Sequence, residues 1–198
     1  MDISESVAKA KEIDAWIHGK TNDISVPSNG RTRMGTALLQ HALDITDAMI
    51  LLIERNLPGP AFSLFRPLHE SYTRGVWLLD HASEQAVEKF ANGKYPGFND
   101  MLNDIGDDPE TGGAFIKGMS ELNREDFHGL THGGIEHVSR RFSATAIEPS
   151  YPSEEIEKLI KVRNQYACLI AFFLLQLAGD EDGMNQLVEK RDEWRGAL

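Results

Sequence analysis

A single cysteine, Cys168, stands among 198 residues, so the chain can form no internal disulfide and its stability has to come from a packed core. Positive charge is also scarce. Twenty lysines and arginines face 31 aspartates and glutamates, a formal net charge of −11. That excludes a broad basic field able to draw in DNA, RNA or an anionic membrane, so no broad DNA-binding surface is expected and any nucleic-acid contact has to be local. Long hydrophobic runs are missing too. The longest, ACLIAFFLLQLAG from Ala167, falls well short of the ~20 apolar residues of a membrane span, so no membrane partner is expected. The opening MDISESVAKAKEIDAW lacks the basic stretch and apolar run of a secretory signal, which makes cytoplasmic residence the expectation. Strand-like alternation, internal repeats, phosphate-cradling glycine loops, nucleophilic triads and cysteine-rich zinc motifs are absent as well.

What remains is helical periodicity in a chain long enough to bury roughly 70% of its unfolded surface. The spacing predicts a first helix over about 4 to 18, with Val7, Ile13, Trp16 and Ile17 on its apolar side, ended by the turn formers TNDISVPSNG. A second runs from about 31 to 56, where Asn56 and LPGP stop it, and a third from Pro60 to about 81. Residues 92 to 120 read as short helical pieces joined by loops. The last strong helix opens at Ser153 as its N-cap, ends at Gly179, and is apolar on every face from Leu169 to Leu177, as the centre of a bundle or a subunit contact would be. A short helix follows from about 182 to 194. The expectation is an all-α fold, a single domain with a bundle of about five to seven helices. Residues 1–30 form its N-terminal helix and loop, 31–178 the core bundle and 180–198 the C-terminal helix.

Two stretches carry chemistry. In the third helix, RPLHESYTR at 66 to 74 aligns Ser63, Arg66, Glu70, Arg74 or Thr73, Trp77 and His81 as one polar stripe at helical pitch. Such a stripe is either a solvated face with ion pairs contributing about 0.3 to 0.5 kcal/mol each, or the wall of a cleft in which Glu70 orients the two arginines. Pro67 tips the balance toward a cleft, because inside a helix it frees the Ser63 carbonyl and bends the axis; with Pro60 at its start and Pro67 within, the helix is bent or begins later than it appears.

The second stretch is FHGLTHGG at 127 to 134. If 125 to 133 are helical, His128 and His132 stack on one face and Gly129 and Gly133 on the next. Two glycines one turn apart cost roughly 1 kcal/mol each against alanine, so they are expected to admit another backbone or a ligand close by. Histidines four apart are also a helical ligand pair for a metal. No cofactor is expected, but Glu70, His69 or His41 could complete a set of three ligands with His128 and His132, and the three-histidine alternative with His41 has an order that resembles the damage-inducible helical-bundle metalloproteins.

Arginine followed at short distance by histidine, as in RGVWLLDH from Arg74 to His81, resembles the motif of the HEPN superfamily of helical ribonucleases, in which arginine stabilises a pentacoordinate phosphate and histidine moves protons. Gly75 stands where that superfamily usually has a polar residue. More widely, the helix carrying Arg66, Glu70 and Arg74 and ending in WLL, with the later HG-x-T-HGG and SRRF at 139 to 142, resembles an uncharacterised bacterial all-helical family similar in layout to HEPN proteins and found among defence genes. The likeness covers residues 30 to 178. It draws attention to Arg140 and Arg141 as a second basic spot suited to phosphate.

The resulting expectation is a dimeric bundle whose cleft is lined by Arg66, His69, Glu70, Arg74, His128 and His132. Arg66 and Arg74 would bind an anion, with His69, Arg140 and Arg141 as further ligand contacts, and His128 or His132 would transfer a proton. The ligand would be RNA or another phosphate compound. A metal-binding bundle and a non-catalytic dimeric binding module are the alternatives.

Overall fold

A computed structural model describes residues 2–109, 111–122 and 128–198. The chain runs through α1 (Ile3–Thr21), α2 (Gly30–Glu54), α3 (Pro58–Ser63), α4 (Phe65–Val76), a π-helical turn (Trp77–His81), α5 (Glu84–Ala91), α6 (Phe98–Ile105), α7 (Gly113–Leu122), α8 (His128–His132), α9 (Ile135–Ser139), α10 (Ser153–Ala178) and α11 (Glu181–Glu193). The fold is all-α. Among the described residues the sole extended pairing is an isolated bridge between Phe142 and Ile147.

Helix α1 buries Val7, Ala10, Ile13 and Ile17 against α10 and α2, while α2 packs along α4. The apolar half of α10 lies at the centre of the bundle, with Ile170, Ala171, Phe173, Leu174 and Leu175 all buried. Tyr166 on the same helix sits among the rings of Phe65, His69, Tyr72 and Phe115, so a modest aromatic complement is concentrated around one point. Helix α2 is long and apolar enough to cross a membrane by length and composition, a property the run-length reading of the sequence passed over; half of that window is buried inside the bundle.

Two boundaries differ from expectation. The third helix is broken at Leu64, so Pro67 falls in the first turn of α4, where its missing N–H forfeits nothing, and no mid-helix kink is required. Its far end widens into the π turn, closed by Ala82 N–H donating to the Trp77 carbonyl at 2.8 Å. Ser153 is the first residue of α10 and not its cap: Pro152 occupies the cap position in extended conformation, and no side chain caps the helix. Gly179, at φ 70°, does end that helix.

One close approach fixes α2 against α4. A Cβ on Gly35 would lie 2.6 Å from Leu79 Cγ and 3.2 Å from the Gly75 carbonyl, and one on Gly75 would lie 2.9 Å from Leu39 Cδ2. The paired glycines let the two backbones approach, and this sets where the polar face of α4 points.

Candidate functional site

The polar face of α4 is a continuous row. Glu70 accepts from Arg66 Nε through Oε1 at 2.8 Å and from Arg74 Nη2 through Oε2 at 2.8 Å, so one carboxylate holds both guanidiniums. Burial pushes the Glu70 carboxyl up, but the hydrogen bonds from Arg66 and Arg74 outweigh it and hold the group below the usual carboxylate range. The three side chains are 36%, 22% and 25% exposed in the order Arg66, Glu70, Arg74, which makes the row a half-open wall and not a fully solvated face.

Helix α8 brings the histidine. Ser63 Oγ donates to the Leu130 carbonyl at 3.0 Å and Leu130 itself is buried, which seats α8 on α3 and α4. His132 Nε2 then lies 2.7 Å from Arg66 Nη1. A guanidinium only donates, so Nε2 is the acceptor and the imidazole proton sits on Nδ1. The two segments singled out by sequence therefore meet, through Arg66 and His132. Residues 123–127 and the side chain of His128 lie outside the described residues.

The glycines of this stretch act in a turn. Gly133 has φ 69°, a left-handed conformation that ends α8. The Gly134 N–H donates to the Gly129 carbonyl at 2.6 Å, and a Cβ on Gly129 would collide with the Glu136 carboxylate. The close backbone approach expected here is real, but the partner is the chain's own next turn.

Other expected residues are placed elsewhere. His69 is fully buried, away from the row: Tyr166 Oη is 2.7 Å from Nδ1 and Ser120 Oγ is 2.7 Å from Nε2. Ser120 donates to the Ile116 carbonyl at 2.9 Å, so its oxygen accepts from Nε2–H, and Nδ1 accepts from the tyrosine. Every proton in that chain is assigned, and Ser120, although it lines a cavity of about 520 Å³ with Asn103 and Lys117, is no activated nucleophile. Burial lowers the His69 pKa to about 4, and a neutral imidazole is what this network requires. The contact role expected of His69 gives way to a structural one.

Arg140 donates to both oxygens of Glu155, at 2.6 and 2.8 Å, and to the Glu136 carbonyl at 2.7 Å, so the second basic spot is largely matched from within; Arg141 is exposed. His81 faces Thr111 Oγ1 at 3.3 Å and Asp108 Oδ2 at 3.5 Å, whereas Arg74 is held by Glu70, so the Arg74 and His81 pair does not share partners. Trp77, expected in the same stripe, is buried, its Nε1 donating to Asp104 Oδ2 at 2.9 Å. His41 is exposed on α2, and among the described residues no three His, Cys, Asp or Glu side chains cluster as a metal site.

Sequence reasoning overlooked how the row continues. The Arg74 guanidinium stands 5.9 Å from the Tyr95 ring centre and 5.8 Å from that of Phe98, both in the loop and helix start after α5. The signal lay in FANGKYPGF, where aromatic residues interleave with a lysine, but glycine and proline made the segment read as connecting loop.

An all-helical protein with a half-buried row of arginine, glutamate and arginine met by an exposed histidine is the class these observations define. Residues 39–198 match the model of DUF6988, a family of unknown function, and the chain belongs to that family. No curated protein and no solved structure matches it.

Proposed function

We propose that this protein binds a phosphate-containing ligand, RNA foremost, on the row formed by Arg66, Glu70, Arg74 and His132, and that it acts there as a HEPN-like ribonuclease. The observation that carries the reading is the 2.7 Å contact between Arg66 Nη1 and His132 Nε2. It puts an anion-binding group and a proton-transfer group within reach of a single phosphodiester.

In this reading a phosphate displaces His132 as the partner of Arg66, while Glu70 keeps both guanidiniums aimed outward. The released Nε2 lone pair takes the proton of a ribose 2′-hydroxyl. That oxygen attacks the neighbouring phosphorus, the P–O5′ bond breaks, and the leaving oxygen is protonated by solvent, which yields a 2′,3′-cyclic phosphate. Arg66 and Arg74 offset the added negative charge on the pentacoordinate phosphorus. Of the two histidines expected to transfer a proton, His132 is taken as the one paired with Arg66, and His128 is kept as a second proton carrier. A bacterial origin and a place in stress or phage defence belong to the same reading and rest on the resemblance of the sequence motifs, whereas cytoplasmic residence rests on cysteine usage and the homodimer on apolar helix surface.

The test is cleavage and binding of single-stranded RNA by untagged protein, with Arg66→Ala, Arg74→Ala, His128→Ala and His132→Ala beside the wild type. Loss of activity by tenfold or more is expected for Arg66→Ala and His132→Ala. If the wild type neither binds nor cleaves RNA, or if both of those variants match it, the reading is wrong. Sedimentation velocity checks the dimer.

A further inference from the structure

We infer that the cavity beside Tyr95 is a nucleotide-recognition site, taking one base with its ribose and phosphate. The inference names the ligand class of the row described above and rests on that reading for its link to chemistry, but its binding test stands apart.

The cavity, about 610 Å³, lies between α5, the loop after it and the π turn, and its lining includes Trp77, Lys89, Lys94, Tyr95, Pro96 and Asp104. That volume suits a small-molecule ligand. Three chemistries converge in it. Tyr95, 56% exposed, and Pro96 offer a flat, partly wet apolar surface for an aromatic base, and the Tyr95 ring is steadied by Phe90 at 5.4 Å between ring centres. Lys89 and Lys94 supply cationic heads. Neither forms an ion pair among the described residues, and on a chain of net charge −11 two uncommitted lysines at one cavity mark a place for an anion.

Asp104 supplies the third. Its Oδ2 accepts from Trp77 Nε1 at 2.9 Å, which fixes the carboxylate and leaves the other oxygen to accept from ligand hydroxyls, as a ribose diol requires. A carboxylate would repel a bare phosphate, so the combination favours a ligand with a hydroxylated, uncharged middle between its ring and its anion. A nucleotide has that order of parts.

The turn that builds the cavity also sets the spacing of the lysines. Gly93 adopts φ 73° at the end of α5, and Lys94 N–H returns to the Lys89 carbonyl at 2.9 Å, which brings residues five apart to one rim. Because Arg74 packs over Tyr95, the cavity adjoins the arginine row, and a nucleotide seated in it extends its backbone toward Arg74.

The experiment is titration calorimetry on the full chain at low salt with AMP, GMP, CMP and UMP, their 2′-deoxy counterparts, a short single-stranded oligoribonucleotide, and inorganic phosphate. Variants are Tyr95→Ala, the double reversal Lys89→Glu with Lys94→Glu, and Asp104→Asn, each checked for wild-type helicity and melting; all four positions are exposed. At least one mononucleotide should bind about tenfold more tightly than inorganic phosphate. Tyr95→Ala and the double reversal should each weaken it about tenfold, and Asp104→Asn should narrow the preference for ribo- over deoxyribonucleotide. Binding of the oligonucleotide but of no mononucleotide, equal affinity for nucleotide and phosphate, or nucleotide binding that survives both cavity variants would each overturn the inference. Nucleotide binding by a wild type that cleaves no RNA would uphold the cavity and overturn the reading of the row, so the two fail separately.

Discussion

The Arg163 guanidinium on α10, with no exposed surface, donates to the Asp14 carboxylate on α1, joining residues 149 apart in sequence. The same guanidinium donates to the Thr46 carbonyl on α2 at 3.0 Å and to Asn164 Oδ1 at 2.7 Å, and Asn164 in turn holds the Ala197 carbonyl at 2.9 Å. Three long helices and the C-terminal turn are therefore tied at one buried cation. Removing it leaves Asp14 partly buried and unpaired, so Arg163→Met should destabilise the fold by about 3 to 5 kcal/mol, read as a lower urea midpoint. The double variant with Asp14→Leu should recover part of that loss. A double variant as unstable as the sum of the two singles would show that the ion pair does not couple the helices.

Stability should also fall on acidification before ordinary carboxylates titrate. With the folded pKa of His69 lowered to about 4 from 6.5, the unfolded chain binds the proton more readily, and the stabilisation present above pH 6.5 is lost as pH drops toward 4. The slope from this single group reaches at most about 1.4 kcal/mol per pH unit. Glu70, also held below its usual range, adds a loss in the same direction at lower pH. Urea midpoints between pH 7 and 4.5 check this, and His69→Gln should be less stable at pH 7 yet show a flatter profile. A wild-type midpoint constant across that range would mean that His69 is not buried neutral between Tyr166 and Ser120.

Cys168 reports on opening of the same core. Burial pushes its thiol up to about 12, so almost none is thiolate at pH 8. Alkylation by iodoacetamide should be slower in the native protein than in urea by about two orders of magnitude or more, with a rate that follows the unfolding equilibrium. Native labelling as fast as that of a free thiol would place the Cys168 face of α10 in solvent.

Periodicity made the long helices legible, since Ile13 and Ile17 or Leu174 and Leu175 reveal a buried side without knowledge of the partner. The meeting of Arg66 with His132 was legible as two polar stretches in an otherwise apolar pattern, although the glycines beside His132 turn out to serve the chain's own next turn. What sequence hid was commitment. His69 lies one residue from Glu70 in the same polar run, yet rotation by 100° turns it into the core, where Tyr166, nearly a hundred residues on, supplies its partner. Arg140 read as an open cation because Glu155 sits across a loop, and Lys94 and Tyr95 read as part of a loop-rich segment because their significance depends on Asp104 and Trp77 arriving from other elements. Helix α5 was missed although Ser83 caps it, its Oγ accepting from Ala86 N–H at 3.2 Å, because eight residues are too few for a periodic signal.

The glycine pair between α2 and α4 gives the last prediction, and its sign is the point. Glycine to alanine inside a helix ordinarily stabilises by up to about 1 kcal/mol. At Gly35 the new Cβ would lie 2.6 Å from Leu79 Cγ and 2.8 Å from Leu79 Cδ2, with the Gly75 carbonyl at 3.2 Å behind them. Leu79 belongs to the π turn and packs against the core, and the Gly75 carbonyl is backbone, so relief has to displace a packed side chain and press on α4. Overpacking of this kind costs about 1 to 3 kcal/mol and outweighs the propensity gain, so Gly35→Ala should lower the urea midpoint. Gly19→Ala on α1, where nothing lies within 4 Å of the new Cβ, should raise it. Because pressing on α4 also shifts Arg66 and Arg74, Gly35→Ala should weaken RNA binding as well, while Gly19→Ala leaves it unchanged. Equal stabilisation by both substitutions would show that the helices are not in glycine-mediated contact.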